Sequence, residues 1–265
     1  MITKSSELFH GTAWYYSRYR PQYPQSVFDR LEAAFHLNAE TTILDVGCGT
    51  GQLSIPLAKK GISVVAIDPS PEMLTEAKIQ ETNAGVARPV TWIQGNGEEL
   101  SSLVRHPARL AVFGASIHWM DRDLVLKQCD GLIDAQGGVA LLLSPSTWNQ
   151  KTDWAMLVRE VIQQFLGSDR RAGSGTYTTP SERHDVVLAR SPFNRIETWK
   201  DEIAITRTVD EVIGLQYSTS YCSPTLLGDN KEAFETMLRQ RLLELNPENQ
   251  FVEQYTIETL IGRRP

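Results

Sequence analysis

The chain has 265 residues, of which 41% are apolar, enough for one large domain or two small ones with a sizeable core. Its net charge of −6 gives no basic surface that would favour a nucleic-acid partner. The N-terminus does not resemble a secretion signal, and no apolar run has membrane-spanning length. Cys48, Cys129 and Cys222 form no Cys-x-x-Cys pair, which favours reduced cysteines in a cytoplasmic protein. We expect a monomer or homodimer with no metal site and no membrane contact.

Strands and helices alternate along most of the chain, which favours an α/β sheet covered by helices. The predicted strands are 41–46, 62–67, 90–94, 110–115, 138–144, 195–207 and 251–261. The predicted helices are 52–60, 71–82, 121–134, 152–166, 209–217 and 230–245. We further predict a glycine turn at 134–138 and a mobile polar loop at 168–180.

The first predicted strand ends in three glycines at alternate positions, Gly47, Gly49 and Gly51. Glycine permits unusual dihedral angles and lets a ligand approach the backbone closely. A strand–turn–helix unit of this kind is expected to present free backbone N–H groups and a positive helix end to a ligand. Gln52 and Leu53 stand where a dinucleotide-binding loop would have its third glycine. The spacing therefore favours S-adenosylmethionine (SAM) over NAD.

The second predicted strand ends on Asp68. The two coplanar oxygens of a carboxylate suit the vicinal hydroxyls of an adenosine ribose. Alternatively, Asp68 caps the next helix, because residues 69–72 are typical of a helix start. Together with the glycine loop, the pattern favours the ribose role.

Four segments, 44–51, 64–74, 92–100 and 115–121, resemble those of class I SAM-dependent methyltransferases. The resemblance implies a Rossmann-like, seven-stranded, mostly parallel sheet with helices on both faces and a helical lid or cap. It also implies SAM as the cofactor and S-adenosylhomocysteine (SAH) as the product.

Three further segments, 13–24, 212–221 and 255–265, resemble the trans-aconitate-methyltransferase-like branch of small-molecule enzymes. The resemblance implies a single domain over 1–265. Within it we expect an N-terminal helical lid at 1–37, a SAM-binding core at 38–145, and cap elements with the C-terminal strands at 146–265.

The chain departs from the family pattern at two places. Asn96 and Gly97 stand where the family usually has Asp-Ala, whose carboxylate accepts a hydrogen bond from the adenine amino group. An amide oxygen can accept the same bond, although charged acceptors form stronger ones. Arg109 stands where an acidic residue commonly opens the fourth strand, which changes the local ion pairing but not the fold.

The candidate cofactor residues converge on one edge of the sheet, because ligands of open α/β sheets bind at the carboxyl ends of the strands. The glycine loop is expected to face the methionine part, Asp68 the ribose, and Asn96 with Gly97 the adenine. Cys48 fits the loop as a small packing residue, while Met73 either flanks the adenine or is ordinary core. The predicted cofactor-binding residues are Tyr19, Arg20, Asp45, Gly47, Cys48, Gly49, Gly51, Asp68, Pro69, Met73, Asn96, Gly97 and Ser116.

His118 is the candidate catalytic residue, because it follows the fourth strand, where the resemblance locates methyl transfer. A neutral histidine can take the proton that a hydroxyl acceptor loses. Alternatively, His118 is a structural residue beside Trp119. His184 is a weaker candidate for the base.

Aromatic residues in the lid and cap form the candidate acceptor site, although each alone is more typical of a core. Tyr19 and Arg20 are expected to contact the cofactor by resemblance. A carboxylate-methylating enzyme would need an arginine such as Arg18, Arg170 or Arg171. The predicted substrate residues are Tyr15, Trp119, Trp148, Tyr177, Tyr217 and Tyr221.

The sequence thus predicts a SAM-dependent methyltransferase acting on a small molecule. One alternative is a SAM-binding cyclase or isomerase that leaves the cofactor unconsumed. Another is a catalytically silent SAM-binding regulatory subunit, which would bind SAM without turning over any acceptor.

Overall fold

The computed structural model describes residues 7–265, which divide into two compact units. We call the first the helical unit and the second the sheet unit. The helical unit comprises Met1–Pro21 (described from residue 7), Pro145–Thr178 and Glu202–Thr256. The sheet unit comprises Gln22–Ser144, Thr179–Asp201 and Ile257–Pro265.

Nine strands are present among the described residues. They are β1 (Thr42–Val46), β2 (Ser63–Asp68), β3 (Thr91–Gln94), β4 (Ala108–Gly114), β5 (Ile133–Leu143), β6 (Arg171–Ala172), β7 (Gly175–Thr176), β8 (Arg195–Arg207) and β9 (Phe251–Arg263). Seven form one sheet in the order β3-β2-β1-β4-β5-β9-β8. The first five are parallel to their neighbours, whereas β9 runs antiparallel to β5 and pairs Gly138 with Arg263. The predicted seven-stranded, mostly parallel sheet is confirmed.

Eleven α-helices are present among the described residues. They are α1 (Ala13–Tyr19), α2 (Gln25–Phe35), α3 (Ser54–Lys59), α4 (Pro71–Ala84), α5 (Leu100–Leu103), α6 (Arg122–Leu132), α7 (Asp153–Leu166), α8 (His184–Ala189), α9 (Val209–Tyr217), α10 (Pro224–Leu227) and α11 (Lys231–Leu245). Short 3₁₀ turns include Gly97–Glu99 and Ile117–Trp119. None of the helices within residues 7–265 has the length and apolarity needed to span a membrane.

Alternate residues of the central strands face opposite layers of helices in the sheet unit. Ile43 packs with α2, α3 and α4 on one face, whereas its neighbour Leu44 packs with α5, α6 and α8 on the other. Both residues are fully buried. Strands buried on both faces are continuous apolar runs, which is why the sequence pattern located them well.

The helical unit has a separate apolar core. Its helices α7, α9, α10 and α11 enclose buried side chains such as Trp154, Tyr217, Phe234 and Leu238. The strong apolar stripe of α7 accounts for its accurate prediction, because a periodic face marks an amphipathic helix.

Two predicted connections differ from the structure. Residues 134–138 do not form a separate turn; they lie inside β5 as an irregularity of the strand. Ala108 of β4 pairs with Ile133, whereas Leu110, two residues later, pairs with Gly138. Arg109 of β4 pairs there with Asp134, its Nε lying 2.7 Å from Oδ2. The segment 168–180, predicted as a mobile loop, contains the small antiparallel hairpin β6–β7.

Candidate functional site

The glycine loop after β1 needs its glycines for two separate reasons. Gly47, Gly49 and Gly51 all have positive φ angles, of +72°, +54° and +86°. A Cβ on Gly47 would also lie 2.5 Å from Cβ of Ser116, far inside contact distance. Only glycine adopts this backbone at no steric cost, so the loop geometry accounts for the sequence spacing.

The expectation that this loop presents free N–H groups is wrong for four of its residues. Gly47 and Cys48 both donate to the carbonyl of Ile67, at 2.8 and 3.0 Å. Gly49 donates to Oδ2 of Asp68 at 2.8 Å, and Gly51 donates to the carbonyl of Cys48 at 3.0 Å. The first three bonds tie the loop to the end of β2. The loop is therefore held in shape by its own hydrogen bonds, and these four N–H groups are not free for a ligand.

Asp68 is buried at the end of β2 with both oxygens engaged. Oδ2 accepts from Gly49, and Oδ1 accepts from the N–H of Ser70 at 2.9 Å. Burial raises the pKa of this carboxyl despite those two bonds. The side chain that caps α4 is Ser70, whose Oγ accepts from the N–H of Met73 at 3.3 Å, so Asp68 is not the cap. Each carboxylate oxygen keeps a second lone pair for a ligand hydroxyl.

Asp45 and Cys48 are buried around the base of the same loop. Oδ2 of Asp45 accepts from Oγ of Ser54 at 2.6 Å, and burial raises the pKa of this carboxyl to about 7. Burial, and then the charges of Asp45 and Asp68, raise the pKa of the Cys48 thiol well above its usual value. The thiol therefore stays protonated, which agrees with a packing residue rather than a nucleophile.

Asn96 and Gly97 follow β3, as the sequence placed them. The Asn96 side chain donates through Nδ2 to Oε2 of Glu99 at 2.9 Å, which fixes the orientation of its amide. Gly97 is buried, and a Cβ there would lie 2.6 Å from Sδ of Met120 and 3.2 Å from Cγ1 of Val46. Alanine, which the family usually has at this position, would therefore require Met120 to move.

The segment after β4 turns sharply toward the same edge of the sheet. Ala115 has a φ of +51°, which is uncommon for a residue with a side chain. Ser116 follows with its Oγ donating to the carbonyl of Val46 at 2.5 Å, which joins this segment to β1. His118 and Trp119 lie on the next 3₁₀ turn, with their ring centroids 4.7 Å apart.

His184, the weaker candidate, lies near His118. Their ring centroids are 6.4 Å apart. Nη1 of Arg122 lies 3.4 Å from Nδ1 of His184, and burial followed by this positive charge lowers the pKa of the His184 ring. His184 is thus kept neutral beside a cation, while Trp119 packs against His118.

The predicted lid residues belong to the helical unit. The ring of Tyr19 packs on α9, so closely that a Cβ on Gly214 would lie 2.5 Å from it. Arg20 donates through Nη2 to the carbonyl of Ser218 at 3.2 Å and lies over the ring of Tyr16. Tyr15 packs edge-on against Tyr217, with centroids 5.1 Å apart.

The predicted acceptor aromatics other than Trp119, which belongs to the sheet unit, are brought together in the helical unit, mostly as core. Tyr217 and Tyr221 are 2% and 3% exposed, and the Tyr217 hydroxyl donates to Glu235. Trp148 packs against Tyr221 at a centroid distance of 5.3 Å. Tyr177, half-buried, lies under the guanidinium of Arg170.

Sequence reasoning missed Thr50 of the glycine loop. Its side chain is 2% exposed, and its Oγ1 has no hydrogen-bond partner among residues 7–265. Buried hydroxyls are nearly always satisfied, so this one fits a loop that completes its bonding with a ligand. Its position between Gly49 and Gly51 was the only available signal.

Comparisons with known proteins agree with this site. Residues 43–137 match the family model of the methyltransferase domain. The chain is 27% identical over 126 residues to a protein named as a probable S-adenosylmethionine-dependent methyltransferase of Saccharomyces cerevisiae, covering 48% of this chain and 43% of that protein. It is 33% identical over 182 residues to the ubiquinone biosynthesis O-methyltransferase of Proteus mirabilis, covering 66% of this chain and 64% of that protein. The match spans less than two thirds of either relative.

A solved structure shares the fold across most of the chain. The solved structure is that of a protein from Anaeromyxobacter dehalogenans that is provisionally named as a type II methyltransferase. It superposes on this chain with a TM-score of 0.58 at 22% sequence identity, covering 92% of this chain and 97% of that one. The strand order and the glycine loop define a Rossmann-like α/β fold. Residues 43–137 belong to the methyltransferase domain family, and the predicted class I SAM-dependent methyltransferase, with SAM as its cofactor, is confirmed. Membership of the trans-aconitate-methyltransferase-like branch stays a prediction.

Proposed function

We propose that this protein transfers the methyl group of SAM to a hydroxyl of a small molecule, with His118 as the general base. The observation that carries the proposal is the arrangement of the sheet unit. The glycine loop, Asp68 and His118 follow β1, β2 and β4, which are parallel neighbours in the sheet, so all three lie at one edge. Ligands of open α/β sheets bind at that edge.

The residues present fit SAM. Asp68 would bind the ribose hydroxyls through the remaining lone pairs of its buried carboxylate. Thr50 has a buried hydroxyl without a partner among the described residues, which a ligand would satisfy. Asn96 and Gly97 would bind the adenine. SAM supplies a methyl group already activated by its positively charged sulfur.

His118 would remove the acceptor's proton. Because the methyl group is activated, catalysis by the protein consists mainly of holding the acceptor in line and accepting that proton at a ring nitrogen of His118. His184 lies 6.4 Å away between centroids, and burial and the charge of Arg122 lower its pKa and keep it neutral.

A small-molecule acceptor is supported by the aromatic side chains of the helical unit and by the name of the Proteus relative, which is an O-methyltransferase of ubiquinone biosynthesis. A cytoplasmic location is part of the same proposal. Its support is that all three cysteines are buried and free.

The test is a calorimetric titration with SAM and SAH, followed by incubation with SAM carrying a labelled methyl group and a panel of phenols, alcohols, amines and carboxylic acids. We expect micromolar binding, about −8 kcal/mol, and label transfer to a hydroxyl compound. Binding without any label transfer would favour the regulatory alternative, and isomerisation of an acceptor with SAM intact would favour the cyclase or isomerase. Absence of SAM and SAH binding would overturn the proposal.

A further inference from the structure

Two histidines of the sheet unit lie close together, and an arginine bonds to one of them. His184 begins α8, and its ring centroid is 6.4 Å from that of His118. Arg122, the first residue of α6, directs its Nη1 at two acceptors. These are the carbonyl of Glu182, at 2.9 Å, and Nδ1 of His184, at 3.4 Å. The guanidinium is therefore held by the backbone as well as by the ring.

The arginine determines which nitrogen of His184 carries the proton. An arginine side chain has only N–H donors, so Nδ1 of His184 is the acceptor in this bond. Burial, followed by the charge of Arg122, lowers the pKa of the ring and favours its neutral form. In a neutral imidazole whose Nδ1 is an acceptor, Nε2 carries the proton. His184 is therefore a neutral ring with its N–H at Nε2.

This protonation state makes His184 a donor rather than a base. Its Nδ1 lone pair is engaged by Arg122, and its Nε2 already carries a proton. Among residues 7–265 no hydrogen bond to Nε2 is present, and the side chain is only half-buried. The Nε2–H group is therefore available to a ligand.

The separation of the two rings allows one oxygen atom to bond to both. An oxygen that is hydrogen-bonded to a ring nitrogen lies about 4 Å from the ring centroid. Two rings that share such an oxygen can therefore have centroids up to about 8 Å apart, and the observed 6.4 Å lies within that limit. The ring planes of His118 and His184 are inclined at 51°, so the rings do not stack on each other.

We propose that Nε2–H of His184 donates a hydrogen bond to the same hydroxyl oxygen that His118 deprotonates, an inference that rests on the proposed function. A hydroxyl oxygen has one hydrogen and two lone pairs. When the hydrogen is directed at His118 and one lone pair accepts from His184, the second lone pair is left to attack the methyl group. The two histidines thus orient the acceptor atom, and the N–H group stabilises the negative charge that develops on it.

This arrangement selects a hydroxyl over other methyl acceptors. A neutral amine has a single lone pair, which cannot both accept from His184 and form the new bond to carbon. A carboxylate has no proton for His118 to take. During transfer the methyl carbon exchanges its bond to sulfur for a bond to oxygen, sulfur keeps the electron pair, and the hydroxyl proton passes to His118. His184 neither gains nor loses a proton.

The first measurement is the tautomer of His184, by ¹⁵N nuclear magnetic resonance of protein labelled at histidine. The signals that vanish in H184Q are those of His184, and R122Q removes the donor to Nδ1. We expect Nε2 to carry the proton in the wild type under mildly alkaline conditions, and R122Q to show a mixture of both tautomers. A proton on Nδ1 in the wild type would overturn the proposal, whatever the activity.

The second measurement is methyl transfer by H184A, H184Q and the control H106Q, with SAM carrying a labelled methyl group and the panel of phenols, alcohols and amines. We expect H184A to lower turnover of the hydroxyl acceptor by about 10²-fold with SAH affinity unchanged, because one donor to the developing charge is lost. The ratio of hydroxyl to amine methylation should fall as well. H184Q should recover most of the activity, because its amide supplies an N–H donor without titrating. H106Q, at an exposed position, should behave as the wild type does.

Two results of the transfer assay would contradict the proposal, provided that thermal unfolding shows the variants to be folded. One is wild-type turnover of the hydroxyl acceptor by H184A, and the other is H184Q as slow as H184A. Both differ from failure of the proposed function, in which the wild type binds neither SAM nor SAH or methylates no hydroxyl compound. That outcome would overturn both proposals, since His184 would have no acceptor to hold.

Discussion

The two units differ in how their buried charged side chains are paired. In the sheet unit the buried carboxyl groups of Asp45 and Asp68 accept bonds from a serine hydroxyl and from backbone N–H groups, and neither forms an ion pair among residues 7–265. In the helical unit the buried Glu253 pairs directly with the buried Arg207, whose Nε lies 2.7 Å from its Oε2. A carboxylate bonded only to neutral donors keeps lone pairs for a ligand's hydroxyls, whereas an ion pair is neutralised within the protein.

We infer that the two kinds of pairing serve different roles. Arg207 and Glu253 stabilise the helical unit through their buried ion pair. Asp68 has no ion-pair partner among residues 7–265 and accepts only from two backbone N–H groups, which suits the ligand role proposed above. The predictions below test the two sides of this comparison in turn.

The largest expected effect is on catalysis in the sheet unit. The substitution H118A should lower turnover by about 10²–10⁴ if His118 is the base, with SAH affinity unchanged. Steady-state methyl transfer and calorimetry measure the two quantities. H106A, at an exposed position, serves as the control. A variant that methylates at the wild-type rate would make His118 structural.

The next effect is on the stability of the helical unit. The substitution E253Q leaves Arg207 buried without a charge partner, so the free energy of unfolding should fall by about 3–5 kcal/mol. Denaturant unfolding measures it. E160Q, which breaks the exposed pair with Arg241, should cost about 1 kcal/mol or less. Equal losses of unfolding free energy in E253Q and E160Q would contradict the distinction between the buried and the exposed ion pair.

Cofactor affinity should respond more modestly to the acceptor at the end of β2. The substitution D68A should weaken SAH binding by roughly 1.5–3 kcal/mol, the range for a lost charged hydrogen bond. E40A, at an exposed position, should bind SAH normally. Because D68A also frees the N–H groups of Gly49 and Ser70, thermal unfolding must accompany the titration. Unchanged affinity in a folded variant would remove Asp68 from the ribose site.

A pH dependence of stability is expected from Asp45. Its folded pKa of about 7 lies above its ordinary value of 3.8. Between those values the folded state holds a proton that the unfolded state has lost, so the wild type loses stability as the pH rises from about 4 to 7. D45N lacks this loss.

Melting temperatures of the wild type and D45N at pH 4.5 and pH 8 measure the difference. The melting temperature of D45N should rise relative to that of the wild type at pH 8, by about 2–4 °C for each kcal/mol of unfolding free energy that the wild type loses. A difference that is the same at both pH values would mean that Asp45 is charged in the folded protein throughout.

The sequence predicted the sheet well and the short helices poorly. Strands β1 to β4 begin and end within two residues of their predicted bounds. For β1, β2 and β4 the reason is that largely buried strands are continuous apolar runs. Helices α5, α8 and α10 were not predicted. They have four to six residues, and helices that short form only through tertiary packing.

The candidate site was predictable where it is local in sequence. The spacing of Gly47, Gly49 and Gly51 was enough to locate the loop, since positive φ restricts the residue type. The hydrogen bonds of the loop's N–H groups were not predictable from the local sequence. Their acceptors, the carbonyl of Ile67 and the carboxylate of Asp68, come from the neighbouring strand.

The antiparallel pairing of β5 with β9 has a consequence for synthesis on the ribosome. The hydrogen-bonding partners of residues 138–143 are residues 258–263, so β5 leaves the exit tunnel long before its neighbour is made. Until then the nascent chain carries an unpaired strand edge flanked by apolar residues, a surface prone to association with other chains. Slow translation over the second half of the message would prolong that exposure, so chaperone dependence should concentrate in this interval.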